Sequence, residues 1–190
     1  YEKLKLIRSH GRQTNSNYFQ TNKTPNYISL GYNWRMSSMT AALGISQLCK
    51  LDKLISKRRK NAQYLSSKLN KHSKIILPFD YKNHKSVFQL YTIRITGKNL
   101  RDNLMAFLTN KGIMSKIFFE PVHLSKFYAK NMNKKISLPK TEKISQQVLT
   151  LPMYPSLTKD DINFISDSID EFMETKSVMI KTEVSNGSWV

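Results

Sequence analysis

At 190 residues the chain is long enough for one large domain or two small ones. Hydrophobic residues at 39%, charged residues at 23%, nine Tyr and nine Phe supply a packed core and exclude global disorder. The formal charge of +18 and pI near 10.0 raise nucleic acid or an acidic membrane as partners, whereas the apolar runs are far too short for a membrane span and the N-terminus has no signal-peptide pattern.

Residues 1–10 read as the end of a helix, with Leu4 and Ile7 at helical spacing and Gly11 as a C′ stop. The pattern opens with that helix already under way, which reads as a cut rather than a native start. Residues 12–36 are polar and loop-like, with Pro25 as a breaker. From Ser37 or Ser38, a good N-cap, a helical pattern runs to about Asn70, carrying Ala41, Leu43, Ile45, Leu48, Leu51, Leu54 and Ile55 on its apolar face. A helix of ~30 residues is roughly 45 Å long, so a bend near Lys50–Asp52 or a spine joining two parts of a larger fold is expected. Cys49, the single cysteine, excludes an internal disulfide and a cysteine-based zinc site. Within the apolar helical pattern it reads as a buried, inert thiol, in keeping with a reducing, cytoplasmic setting.

The period then changes. Ile75 to Leu77 reads as a short strand, Val87 to Ile95 as a strong one rich in β-formers, and Ile113 to Phe119 as a third. Between the last two lies an amphipathic helix over 99–111, with Leu100, Leu104, Phe107 and Leu108 inward and Gly112 as its stop. A loop with Pro121, His123, Phe127 and Tyr128 follows. Thr141 caps a helix to about Leu149, with Glu142 favourable to its dipole. Leu151 to Pro155 is an extended linker, Thr158 to Met173 a last helix, and 176–190 a flexible tail. No internal repeat is visible. This is an α+β layout, a sheet of about three strands covered by helices.

Much of the positive charge lies on the long helix, in Lys50, Lys53, Lys57, Arg58, Arg59, Lys60, Lys68, Lys71 and Lys74 against Asp52. Those positions go most of the way round the helix, which favours a solvated helix over a nucleic-acid footprint. The segment Gly31-Tyr32-Asn33-Trp34-Arg35-Met36-Ser37 is more specific. Asn33 and Arg35, at i and i+2 in extended backbone, point to one side, and both donate hydrogen bonds suited to a phosphate. Taken alone, Asn33 also reads as a turn residue bonding its own backbone.

Gly31 to Ser37 with Ala41-Ala42-Leu43-Gly44 resembles the "GYNxRM…AALG" block of the DegT/DnrJ/EryC1/StrS sugar-nucleotide aminotransferases. The resemblance continues in order through Arg8-Ser9-His10-Gly11-Arg12, Lys57-Arg58-Arg59, Phe88 to Arg94, Phe119-Glu120-Pro121-Val122-His123-Leu124, Leu138-Pro139 with Thr141-Glu142-Lys143, and Leu149 to Pro155. It reaches to about residue 173 and is strongest with perosamine synthetase-like members.

The family implies pyridoxal phosphate enzymes of aspartate-aminotransferase fold, working as homodimers that move an amino group from glutamate to a 4-keto sugar nucleotide for surface polysaccharide. It further implies that this chain is the C-terminal small domain of that fold-type I architecture. Residues 1–36 would come from the large-domain side, and 37–175 would form the linking helix and small domain. The Schiff-base lysine would precede Tyr1, so the chain alone is expected to be inactive and no catalytic residue is assigned within it.

By resemblance Asn33 contacts the phosphate of the partner subunit's coenzyme. Arg35 binds the substrate's anionic part or anchors the loop to a carboxylate. Gln89 stands where many relatives have a histidine beside the substrate, while its residue pattern alone favours an ordinary strand residue. His123 matches a position near the sugar nucleotide, while Phe119 replaces a tyrosine of many relatives. His10, with Arg12, lies near the site entrance, though His-Gly-Arg after a helix also reads as a cap. No metal site is expected. Two other readings are a basic nucleic-acid-binding module, disfavoured by the lack of any helix-turn-helix, zinc or RNA-recognition signature, and a non-catalytic oligomerisation module.

Overall fold

The computed structural model describes residues 1–13, 26–131 and 136–185, so Pro25 and the last part of the expected tail lie outside the described residues. The chain divides into two compact units, Tyr1–Leu51 and Asp52–Val190.

The first unit opens with α1 (Glu2–Ile7), followed by the two-residue strands β1 (Arg12–Gln13) and β2 (Asn26–Tyr27). These strands pair antiparallel, Arg12 opposite Tyr27 and Gln13 opposite Asn26. The α1 cap is Arg8, and the left-handed residues that turn the chain are His10 and Gly11, with φ of 62° and 72°. Helix α2 (Ser38–Leu48) starts as expected: Ser37 is extended, and its Oγ accepts the Thr40 N–H at 3.2 Å.

The long helical pattern is two helices, α2 and α3 (Leu51–Leu69), interrupted at Cys49–Lys50, beside the bend expected near Lys50–Asp52. The α2 apolar positions are exposed, Leu43 at 62%, Ile45 at 65% and Leu48 at 68%. Cys49 is exposed as well, which corrects the reading of a buried thiol. It caps α2, whose apolar pattern suggested burial, but no residue of α2 is buried.

In the second unit, β3 (Ile75–Ile76), β4 (Tyr91–Ile95) and β5 (Val148–Leu151) form an antiparallel sheet in the order β3-β4-β5. Tyr91 faces Leu151, Ile93 faces Leu149 and Ile95 faces Ile75. Alternation along β4 buries Tyr91, Ile93 and Ile95 completely. Three helices complete the core: Ala62, Leu65 and Leu69 from α3, Leu100, Leu104 and Leu108 from α4 (Leu100–Asn110), and Ile162, Ile165, Ile169 and Phe172 from α7 (Lys159–Ser185). Gly112, at φ 78°, ends α4 as expected. Helix α7 continues past the expected end at Met173.

Two elements differ from the pattern. The third strand is β5, not 113–119, which contributes one bridge, Lys116 to Thr150. After the short α5 (Lys126–Asn131), helix α6 (Pro139–Ser145) stops before Val148 and begins with Pro139 at its first turn rather than at a Thr141 cap. Arg101 on α4 donates to the carbonyls of Ser145 and Val148 at 3.1 and 3.2 Å, fixing that helix-to-strand change. The β4 edge then pairs with Val148–Leu151, and tertiary pairing overrides local helical spacing. The strand expected from Val87 begins only at Tyr91, because Phe88 turns the chain with φ 45°. The bend is braced by Arg59, which bonds Asp80 at 2.7 Å and the Ser86 carbonyl at 2.6 Å.

A polar seam joins α3 to α7. Tyr64 donates to Asn163 at 2.9 Å, and Asp170 accepts from Lys71 at 2.6 Å and from the His72 ring. Burial opposes ionisation of Asp170, but its bonds from Lys71 and His72 outweigh that and hold the carboxyl below its usual range. The stabilisation is complete above the unfolded carboxylate pKa and is lost as pH falls through the depressed folded value. Asp170→Asn is expected to cost about 1.5–3 kcal/mol at neutral pH and to flatten the acid limb of the stability profile. Denaturant unfolding between pH 3 and 7 checks both; an unchanged acid limb would count against the seam.

Candidate coenzyme and substrate site

The Gly31–Ser37 loop is built onto the end of α1. A helix leaves its last carbonyls without partners, and here the loop supplies them: Tyr32 N–H donates to Ile7 at 2.6 Å and Trp34 N–H to Arg8 at 3.0 Å. The His10 N–H returns a bond to the Tyr32 carbonyl at 3.0 Å, and Ser9 bridges Asn33. The two backbones cross so closely that a Cβ on Gly31 would lie 2.0 Å from the Gly11 nitrogen, and one on Gly11 would lie 1.6 Å from the Ser29 oxygen. Glycine is required at both positions.

This ladder sets the side chains. The rings of Tyr32 and Trp34 stack at 4.4 Å and 9° on one side of the strand-like segment. Alternation sends Asn33 and Arg35 to the other side. Both are exposed, and among the described residues neither side chain has a hydrogen bond or an ion pair. The alternative in which Arg35 anchors the loop to a carboxylate therefore has no described partner. An outward amide and guanidinium on a braced backbone form a donor set that fits a phosphate. His10 is exposed beside this loop, and its left-handed backbone makes it part of the turn.

Gln89 and His123 belong to the second unit. Gln89 is exposed and precedes β4 rather than lying within it. His123 sits in a short 3₁₀ turn, Val122–Leu124, opened by Pro121. Its side chain is 7% exposed and its Nε2 lies 3.1 Å from Glu142 Oε1. The same oxygen accepts the Leu138 N–H at 2.8 Å. Glu142 thus fixes the histidine ring against α6, a role that its place in the first helical turn did not reveal. Phe119 is 72% exposed and tilted against Phe118.

The sequence profile of the DegT/DnrJ/EryC1/StrS aminotransferase family matches residues 1–170. The chain belongs to this family. It is 32% identical over 176 residues to a Geobacillus stearothermophilus protein called a pleiotropic regulatory protein, covering 90% of this chain and 44% of that one. It is 31% identical over 150 residues to the GDP-perosamine synthase of Escherichia coli O157:H7, covering 77% and 39%. The solved structure of DesV from S. venezuelae superposes with a TM-score of 0.75 at 30% identity, covering 90% of this chain and 43% of that one. The chain therefore has the fold of part of a sugar aminotransferase, and spans less than half the length of these relatives. Enzymes of this family depend on pyridoxal phosphate. Among the described residues no helix is long and apolar enough to cross a membrane.

Gly31→Ala forces the Gly11 crossing apart and is expected to release the loop. In a Trp189→Phe background, Trp34 fluorescence should lose the signature of the Tyr32 stack, with α-helix and sheet content of the second unit retained. Unaltered Trp34 emission would contradict the crossing.

Proposed function

We propose that this chain is the C-terminal portion of an aminotransferase that moves an amino group from glutamate to a 4-keto sugar nucleotide, in perosamine-type sugar synthesis for a surface polysaccharide. The observation that carries the reading is the braced loop presenting Asn33 and Arg35, within a chain of this family. Asn33 holds the coenzyme phosphate through its amide N–H groups, and Arg35 pairs with an anionic part of the substrate. When bound, pyridoxal phosphate supplies an electron sink for amino transfer; the residues of this chain bind and orient around it.

Gln89 and the loop of His123 serve the sugar nucleotide, with Glu142 holding the imidazole in one orientation. Since His123 Nε2 faces a carboxylate, that nitrogen carries the proton and the ring presents Nδ1 as its remaining polar atom. His10 lies at the entrance to the site. The chain works in the cytoplasm as a homodimer in which Asn33 reaches the coenzyme of the partner subunit.

Phosphorus-31 NMR of pyridoxal phosphate tests this. The wild-type chain should perturb the phosphate resonance, Asn33→Ala should weaken the effect by roughly tenfold, and the chain alone should transfer no amino group from glutamate to a 4-keto sugar nucleotide. Equal perturbation by both proteins removes Asn33 from the site, and turnover by the chain alone contradicts its role as a partial enzyme.

The apolar residues around α2, Met39 at 86% exposed with Leu43, Ile45 and Leu48, require cover. The chain is expected to self-associate in sedimentation velocity at high concentration; a single sharp monomer boundary would contradict the homodimer.

A further inference from the structure

Gln89 owes its exposure to a break in the strand pattern. Tyr91, Ile93 and Ile95 point into the core, so extending β4 regularly back to residue 88 would put Gln89 on that buried side and Phe88 on the other. The structure has the reverse. Phe88 is 9% exposed, with its ring centroid 6.2 Å from that of Tyr91, while Gln89 is exposed. The exchange is made at Phe88, whose φ of 45° lies in the left-handed region, where a bulky aromatic residue is a rarity. Among the described residues the Gln89 side chain has no hydrogen bond, so its amide is open to a ligand as donor and acceptor.

A strained backbone persists only where its surroundings over-determine it, and here one side chain of α3 does most of that. Arg59 Nη2 donates to Asp80 Oδ2 at 2.7 Å and Nη1 to the Ser86 carbonyl at 2.6 Å, and its guanidinium carbon lies 5.8 Å from the centre of the Phe88 ring. The Ser86 N–H donates to Asp80 Oδ1 at 2.9 Å, and the Phe88 N–H to Ser86 Oγ at 3.2 Å. The bond from Arg59, with that from the Ser86 N–H, holds the Asp80 carboxyl below its usual range, so the clamp is charged on both sides at neutral pH. The plainer explanation is that the clamp only buries an aromatic ring. A regular strand with its aromatic at 89 would bury a ring without left-handed strain. What the strain adds is a polar side chain turned outward from a fixed backbone.

We propose that Arg59 is a positioning residue for sugar-nucleotide binding: by holding Phe88 left-handed it aims the Gln89 amide at the ligand. The identity of the ligand rests on the function proposed above; the dependence of Gln89 on Arg59 does not.

NMR of the full chain, observed at the Gln89 side-chain amide, tests both halves. Without ligand, a soluble gadolinium chelate should broaden that signal in the wild-type chain. Arg59→Gln and Asp80→Ala should lose most of the broadening, as residue 88 relaxes to extended backbone and the amide turns toward the core. Arg59→Lys, which keeps the charge but loses the fork, should fall between and guards against misfolding of the other two. Titration with uridine diphosphate N-acetylglucosamine and with guanosine diphosphate mannose should shift the same signal, and Arg59→Gln should weaken the binding by roughly fivefold or more. Asp170→Asn, which weakens the same unit at a separate place, should change binding by less than about twofold and leave the broadening intact.

Equal broadening in wild type and Arg59→Gln, or a binding loss matched by Asp170→Asn, overturns the positioning role. Arg59-dependent broadening with no shift from either nucleotide keeps the clamp and sinks the function assigned to Gln89.

Discussion

Where Gly31 passes Gly11 there is no room for a side chain, and that close approach lets the loop reach the last carbonyls of α1. The consequences run from backbone to chemistry. A six-residue helix is too short to be stable alone, and its end is closed by N–H groups from Tyr32 and Trp34 rather than by its own continuation. The same bonds extend the loop, and the extension fixes the alternation. Tyr32 and Trp34 stack on one side, and alternation leaves Asn33 and Arg35 on the other. A loop assembled this way is organised by main-chain geometry, and on the function proposed here that lowers the ordering cost of binding a phosphate.

The two units use their apolar residues differently. In the second, the sheet and three helices enclose a core in which Tyr91, Leu65, Leu104 and Ile169 are fully buried. The Tyr91 hydroxyl is satisfied by Ser66 at 2.7 Å, and burial pushes the Tyr91 pKa up to about 12, with the Ser66 bond working against that rise. In the first, α2 carries an apolar sequence without a buried residue. An apolar helix left exposed is a surface suited to cover by another protein, in keeping with the proposed homodimer. The exposed Cys49 follows from the same fact.

The sequence disclosed the parts governed by local chemistry. Ser37 capping α2, Gly112 ending α4 and the period-two burial of β4 all follow from residue type and spacing. The parts decided at long range were hidden. Val148–Leu151 joins the sheet because β4 presents an open edge and Arg101 clamps the turn before it. The break at Cys49–Lys50, by contrast, lies beside the bend near Lys50–Asp52 that helix length alone led one to expect. At the site, the Asn33–Arg35 pairing was readable from alternation, whereas the hold of Glu142 on His123 spans 19 residues and needed the fold.

The central claim is that the loop is locked to α1 by main-chain bonds, so that Asn33 is presented rather than merely exposed. Amide hydrogen exchange followed by NMR tests it directly at Tyr32 and Trp34, whose N–H groups make those bonds. The account predicts that both are protected well beyond the free-peptide rate, while the neighbouring Asn33 amide exchanges faster. Exchange of Tyr32 and Trp34 at the free-peptide rate, with β4 and β5 amides still protected, would contradict it.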